Sequence, residues 1–178
     1  MKKIKGQNYY FVAILILLVS SLSACTPNPG FELYEGNALH ISVVGEPPEV
    51  KEEQVRFTKI AFDEMKNNKL DSYDAVIITE NNLTKAAENQ YAEIYLNSTI
   101  PFFFIGTDNY VPFTEKDLEY NESMNWARGN GYAVGILNFQ ESDELKKWEY
   151  GLYNDVKNDE NVKDVYSRIF KTINELKQ

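Results

Sequence analysis

The sequence predicts a small three-layer α/β domain with a four-stranded, mainly parallel sheet flanked by helices. Three observations predict it. Hydrophobic residues make up 43% of the 178 residues and charged residues 25%, the proportions of an ordinary folded domain. Four short apolar runs alternate with longer amphipathic stretches, the rhythm of a sheet with crossover helices. Two of those runs are apolar almost without interruption, as strands covered on both faces are.

The elements follow in chain order. LHISVVG at 39–45 predicts the first strand, AVIIT at 75–79 the second, FFFIG at 102–106 the third and YAVGILNF at 132–139 the fourth. Residues 50–68 predict a helix with Val55, Ile60, Ala61, Phe62 and Met65 inward. Residues 83–97 place Leu83, Ala87, Tyr91 and Ile94 on one helical stripe. Residues 114–120 predict a short helix. Ser142 is positioned to cap a further helix carrying Leu145, Trp148 and Leu152. From Asn161 the pattern Val162, Val165, Tyr166, Ile169, Phe170, Ile173 and Leu176 predicts a long terminal helix packed on the sheet. This order implies parallel strands joined by right-handed crossovers.

The chain divides into residues 1–24, residues 25–38 and one domain over 39–178. Lys2, Lys3 and Lys5 precede FVAILILLV at 11–19, a run too short to span a bilayer but the length of a signal-peptide core. Leu22-Ser23-Ala24-Cys25 follows, and Cys25 is the sole cysteine. These residues resemble the lipobox of bacterial lipoproteins. The resemblance covers residues 1–25 and implies a diacylglyceryl group on Cys25, cleavage before it, and a protein held on the extracytoplasmic face of the cell membrane. Two acyl chains anchor stably where one does not. Residues 26–38, with two Pro and two Gly among 13 positions, then read as a tether.

Charge narrows the partners. The formal net charge is −9, and losing residues 1–24 would remove three lysines and no acid, leaving 15 basic against 27 acidic residues. That balance opposes nucleic-acid binding and adhesion to anionic headgroups. One Cys and one His exclude a thiolate–imidazole zinc cluster within one chain.

Ligands of open α/β sheets bind beyond the carboxyl ends of the strands. DSYDAVII at 71–78 and IPFFFIG at 100–106 are similar to runs leading into strands of Rossmann-like and flavodoxin-like domains, at the level of fold pattern alone. The strand ends here bring Glu46, Glu80, Asn81, Asp108 and Asn109 to one rim, with Glu141 beside them. Glu46, Glu80 and Asp108 are oxygen donors that would suit Mg²⁺ or Ca²⁺. Asn82 and Asp108 are equally good turn residues, and Gly45 and Gly106 ease tight turns. No other cofactor is indicated: after the first strand Gly45 is followed by Glu46-Pro47-Pro48, which removes two N–H donors from a phosphate-facing turn, and no GxxxxGK[ST], GxSxG or HExxH occurs.

His40, the sole histidine, starts the first strand, at the wrong end for a rim triad, and reads as structural. The segment 107–131 is rich in aromatics: Tyr110, Phe113, Tyr120 and Trp126, with Arg128 and Lys116 its basic residues. It serves either as a cover for the sheet edge, with a hairpin near Gly129, or as a recognition surface through Trp126 and Arg128. Three functions remain open at this level: a lipid-anchored binding or accessory protein for a small ligand or envelope partner, a metal-assisted hydrolase using Glu46, Glu80 and Asp108, or a structural envelope component.

Overall fold

Val, Ile and Phe fill the four central strands, and these pair as one sheet in a computed structural model that describes residues 30–66, 70–139 and 144–177. The sheet has six strands rather than four. They are β1 (Leu39–Val44), β2 (Val55–Ile60), β3 (Ala75–Ile78), β4 (Phe102–Ile105), β5 (Ala133–Phe139) and β6 (Glu144–Tyr150), in the spatial order β2-β1-β3-β4-β5-β6. The pairings among β2, β1, β3 and β4 are parallel; β4–β5 and β5–β6 are antiparallel.

The two strands missed from sequence are the two edges. β2 (VRFTKI) lies where a helix over 50–68 was expected, and among the described residues of that stretch only α1 (Phe62–Met65) is helical. β6 (ELKKWEY) replaces the helix expected to carry Leu145 and Trp148; its proposed cap, Ser142, lies outside the described residues. Edge strands carry charge on their exposed positions, which blocks pairing with other chains. Arg56, Lys59, Lys146 and Lys147 do so here, and that charge gives these strands the composition of a helix surface.

Both faces of the sheet are covered. Ile41, Val43, Ala75, Ile77, Phe103 and Ala133 face α5 (Asp159–Leu176), which buries Val165, Ile169, Phe170 and Ile173 among them. This is the long terminal helix read from its apolar stripe; Asn158 caps it, its Oδ1 accepting from Asn161 N at 2.8 Å. On the opposite face Val76, Ile78, Phe102, Phe104, Val134 and Ile136 meet Phe62 and Met65 of α1, and residues of α2 (Leu83–Ala86), α3 (Asn89–Leu96) and α4 (Val111–Thr114). The stripe expected over 83–97 is buried at Leu83, Ala87 and Tyr91, but the helix breaks at the extended Glu88, and the Tyr95 hydroxyl donates to the freed Ala86 carbonyl at 2.9 Å.

Two connections set the shape of the rim. β1 passes to its parallel neighbour β2 through residues 45–54 with no helix, and that crossover packs Val50 on the α5 side of the core. Its Glu52 is buried, accepting from Tyr34 N at 3.3 Å, Lys51 N at 3.1 Å and the Ser167 hydroxyl of α5. The segment 107–131 does not cross the sheet at all. It turns back over the carboxyl end of β4 and feeds β5 antiparallel, so it roofs the rim instead of a crossover helix. The short helix in it is α4, earlier than the expected 114–120, and a turn over 127–130 stands where a hairpin was considered.

Candidate functional site

β1 leads to β2 on one side and is flanked by β3 on the other, so the sheet has its switch point between the carboxyl ends of β1 and β3. A cleft of about 860 Å³ opens there. Gly45, Glu46, Lys59, Phe62, Thr79, Glu80, Asn81, Asn82, Lys85, Ile105, Tyr132 and Tyr166 contribute to its walls.

Two glycines draw these walls together. Gly45 ends β1 at φ +118°, and a Cβ there would lie 1.9 Å from Thr79 Oγ1. The Thr79 hydroxyl donates to the Val44 carbonyl at 3.2 Å and accepts from Asn82 Nδ2 at 3.0 Å, stitching β1 to β3 behind the cleft. Gly106 ends β4 at φ +93°, with Glu80 Cγ where its Cβ would collide, at 2.6 Å. The Gly106 carbonyl accepts from Trp126 N at 2.6 Å, and its N–H donates to the Tyr132 carbonyl at 2.7 Å. One backbone unit thus places Glu80, Trp126 and Tyr132 side by side.

The two carboxylates lining the cleft are paired. Glu46 is exposed and bridged to Lys59. Glu80 is half-buried and takes Lys157 Nζ at 2.7 Å from the loop before α5. The Lys157 ammonium also lies 5.4 Å from the Tyr132 ring centre and 5.8 Å from that of Trp126. Burial, and then the Glu80 carboxylate, push the Tyr132 phenol up to about 12; the Tyr166 phenol is pushed up further, by burial first and then by Tyr132 and Glu80. Lys85 lies over the Phe62 ring, 5.0 Å from its centre.

Of the residues read from the sequence, Glu46, Glu80 and Asn81 line this cleft. Asp108 is turned to the loop, accepting from Gly131 N at 3.1 Å, and Asn109 accepts from Val111 N at 3.1 Å in the turn that leads into α4. Both act as turn residues. Trp126 stands at the cleft corner with its indole N–H on the Asn130 carbonyl at 3.2 Å, whereas Arg128 is exposed on the turn beyond it. Among the described residues, no three His, Cys, Asp or Glu side chains converge on a shared cation position. Glu141 and Cys25 lie outside the described residues.

Phe113 and Tyr120 of the roof are core. Phe113 stacks on Phe104 with ring centres 3.8 Å apart and meets Tyr120 at 5.7 Å. His40 is exposed at the amino end of β1, bonded to Thr58 Oγ1 at 2.9 Å, away from the cleft.

Sequence reasoning missed Lys59, Lys85, Tyr132, Lys157 and Tyr166. Lys59 was hidden inside the helix expected over 50–68, Tyr166 inside the terminal packing helix, Lys85 on a helix surface, Tyr132 at the start of a strand and Lys157 in a loop. Only the folded strand order brings Lys59, Lys85, Tyr132 and Tyr166 to one cleft and Lys157 to Glu80 on its rim. No family model, curated protein or solved structure matches the chain. No helix among the described residues is long and apolar enough to cross a membrane.

Proposed function

We propose that the chain is a lipid-anchored, extracytoplasmic binding protein that holds a small polar ligand in the cleft between the ends of β1 and β3. The observation that carries the reading is the placement of that cleft at the switch point, where open α/β sheets bind ligands. Its walls offer the pattern of a ligand site: apolar Phe62, Ile105 and Tyr132, with Glu80, Asn81 and Lys85 as polar groups. The anchor in this proposal rests on the leader sequence ending at Cys25.

A thermal-shift screen of the purified full chain tests it, using amines, carboxylates, sugars, amino acids and divalent cations. A ligand at one hundred times its Kd stabilises a native state by about 2.7 kcal/mol. The expected result is stabilisation by one class of organic ligand, lost in Lys85→Glu for an anionic or neutral ligand and in Glu80→Gln for a cationic one. Stabilisation by none of them, or a shift that neither variant removes, overturns the cleft as the binding site. Stabilisation by Mg²⁺ or Ca²⁺ alone would favour instead a cation at Glu46 and Glu80, without the Asp108 expected from sequence.

A further inference from the structure

We propose that the corner formed by Glu80, Trp126 and Tyr132 binds the ammonium end of a small alkylamine, with the Lys157 side chain as its internal competitor. The inference rests on the cleft being a ligand site and names the ligand class it takes.

The corner has the parts that recognise an organic ammonium. Trp126 and Tyr132 meet nearly at right angles, 82° between ring planes and 6.1 Å between centres, forming two walls with negative π faces. Glu80 supplies the third wall and a charge-assisted acceptor. Lys157 traces the interaction: its Nζ is 2.7 Å from Glu80 Oε2 and lies over both rings. The direct bond to Glu80 needs an N–H, which favours a primary ammonium over a quaternary one. Glu80 and Tyr132 also line the cleft, so an alkyl chain attached to that ammonium has the wall of Ile105 and Tyr166 to run along.

The competitor is built to leave without disturbing the fold. The loop carrying it is held by other groups: buried Asn161 donates its Nδ2 to the Tyr153 and Val156 carbonyls at 3.1 and 2.7 Å, and Arg168 donates to the Gly151 carbonyl at 2.6 Å. Asn154 and Asp155 keep left-handed backbone angles, φ 50° and 53°, within that clamp. Lys157 itself is one flexible side chain in a partly solvated ion pair, a weak hold. Rotation of its stem alone frees the corner.

The test uses the purified full chain and intrinsic tryptophan fluorescence, with n-butylammonium as probe. In Lys157→Ala the probe should bind about tenfold or more tighter than in wild type, since the internal competitor no longer occupies the site. Adding Trp126→Ala to that variant should abolish binding, read by calorimetry. Tetramethylammonium should bind more weakly than n-butylammonium, and n-butanol not at all. Lys157→Ser supplies a second emptied corner should the alanine variant lose its native circular dichroism. A folded emptied-corner variant with no saturable butylammonium binding overturns the ammonium site. So does equal binding of the two cations. Either outcome leaves the cleft reading to its own screen, where stabilisation by another ligand class would still support it.

Discussion

Gly106 and Glu80 share one corner of the rim: a Cβ on the glycine would sit 2.6 Å from Glu80 Cγ and 2.9 Å from its Cδ. The φ of +93° at Gly106 is a second demand for glycine. Gly106→Ala is therefore expected to cost roughly 1–3 kcal/mol of stability and to push Glu80 away from Lys157. Urea unfolding measures the first effect. A loss within about 0.5 kcal/mol, the range of neutral surface changes, would show that the corner is slack.

Glu52 ties three parts of the chain together through Tyr34 N, Lys51 N and the Ser167 hydroxyl. Glu52→Ala leaves those donors without their acceptor in a buried place, at a cost of about 1–3 kcal/mol. Glu52→Gln retains a carbonyl acceptor and should lose less. Equilibrium unfolding of the two variants gives the comparison, and limited proteolysis near Tyr34 should quicken in the alanine variant first. Equal loss in both variants would mean that the charge, not the acceptor geometry, matters.

Alkali should unfold the domain through its buried phenols. Burial, and then Glu80, raise Tyr132 to about 12; burial likewise raises Tyr150 to about 12, against the opposing influence of Thr172 and Arg168 beside it. A free tyrosine titrates near 10. Between these values the native state holds protons that the unfolded chain has released, so stability is whole below about pH 10 and falls as pH climbs toward 12. Absorbance near the phenolate band should rise together with loss of far-ultraviolet dichroism. Titration of all tyrosines before any unfolding would contradict the burial of these two.

Fatty-acid labelling of the full chain in a bacterial host should follow Cys25. Cys25→Ala is expected to remove the label and release the protein from the membrane fraction. Label that persists in this variant would sink the anchored reading.

The central strands were legible because a strand buried on both faces has to be apolar throughout, and AVII and FFFI admit little else. The terminal helix was legible for a related reason, a stripe of Val165, Ile169, Phe170 and Ile173 at helical spacing. β2 and β6 were not, because an edge strand answers to solvent on one side, and lysines and glutamates there resemble a helix exterior. The site was half legible. Glu46, Glu80 and Asn81 follow from the rule that ligands meet strand ends, but Asp108 and Asn109 were spent on turns. Lys157 could not be found, since its partnership with Glu80 spans 77 residues and exists only after α5 has packed across the sheet.

The chain arrives beside the far half of α5. Tyr34 packs its ring on Phe170, Asn37 takes Asn174, and Lys177 reaches Asp74 ahead of β3, all toward the amino ends of the parallel strands. The cleft opens at the other end of those strands. The entry of the chain and the mouth of the cleft thus lie at opposite poles of the same strands.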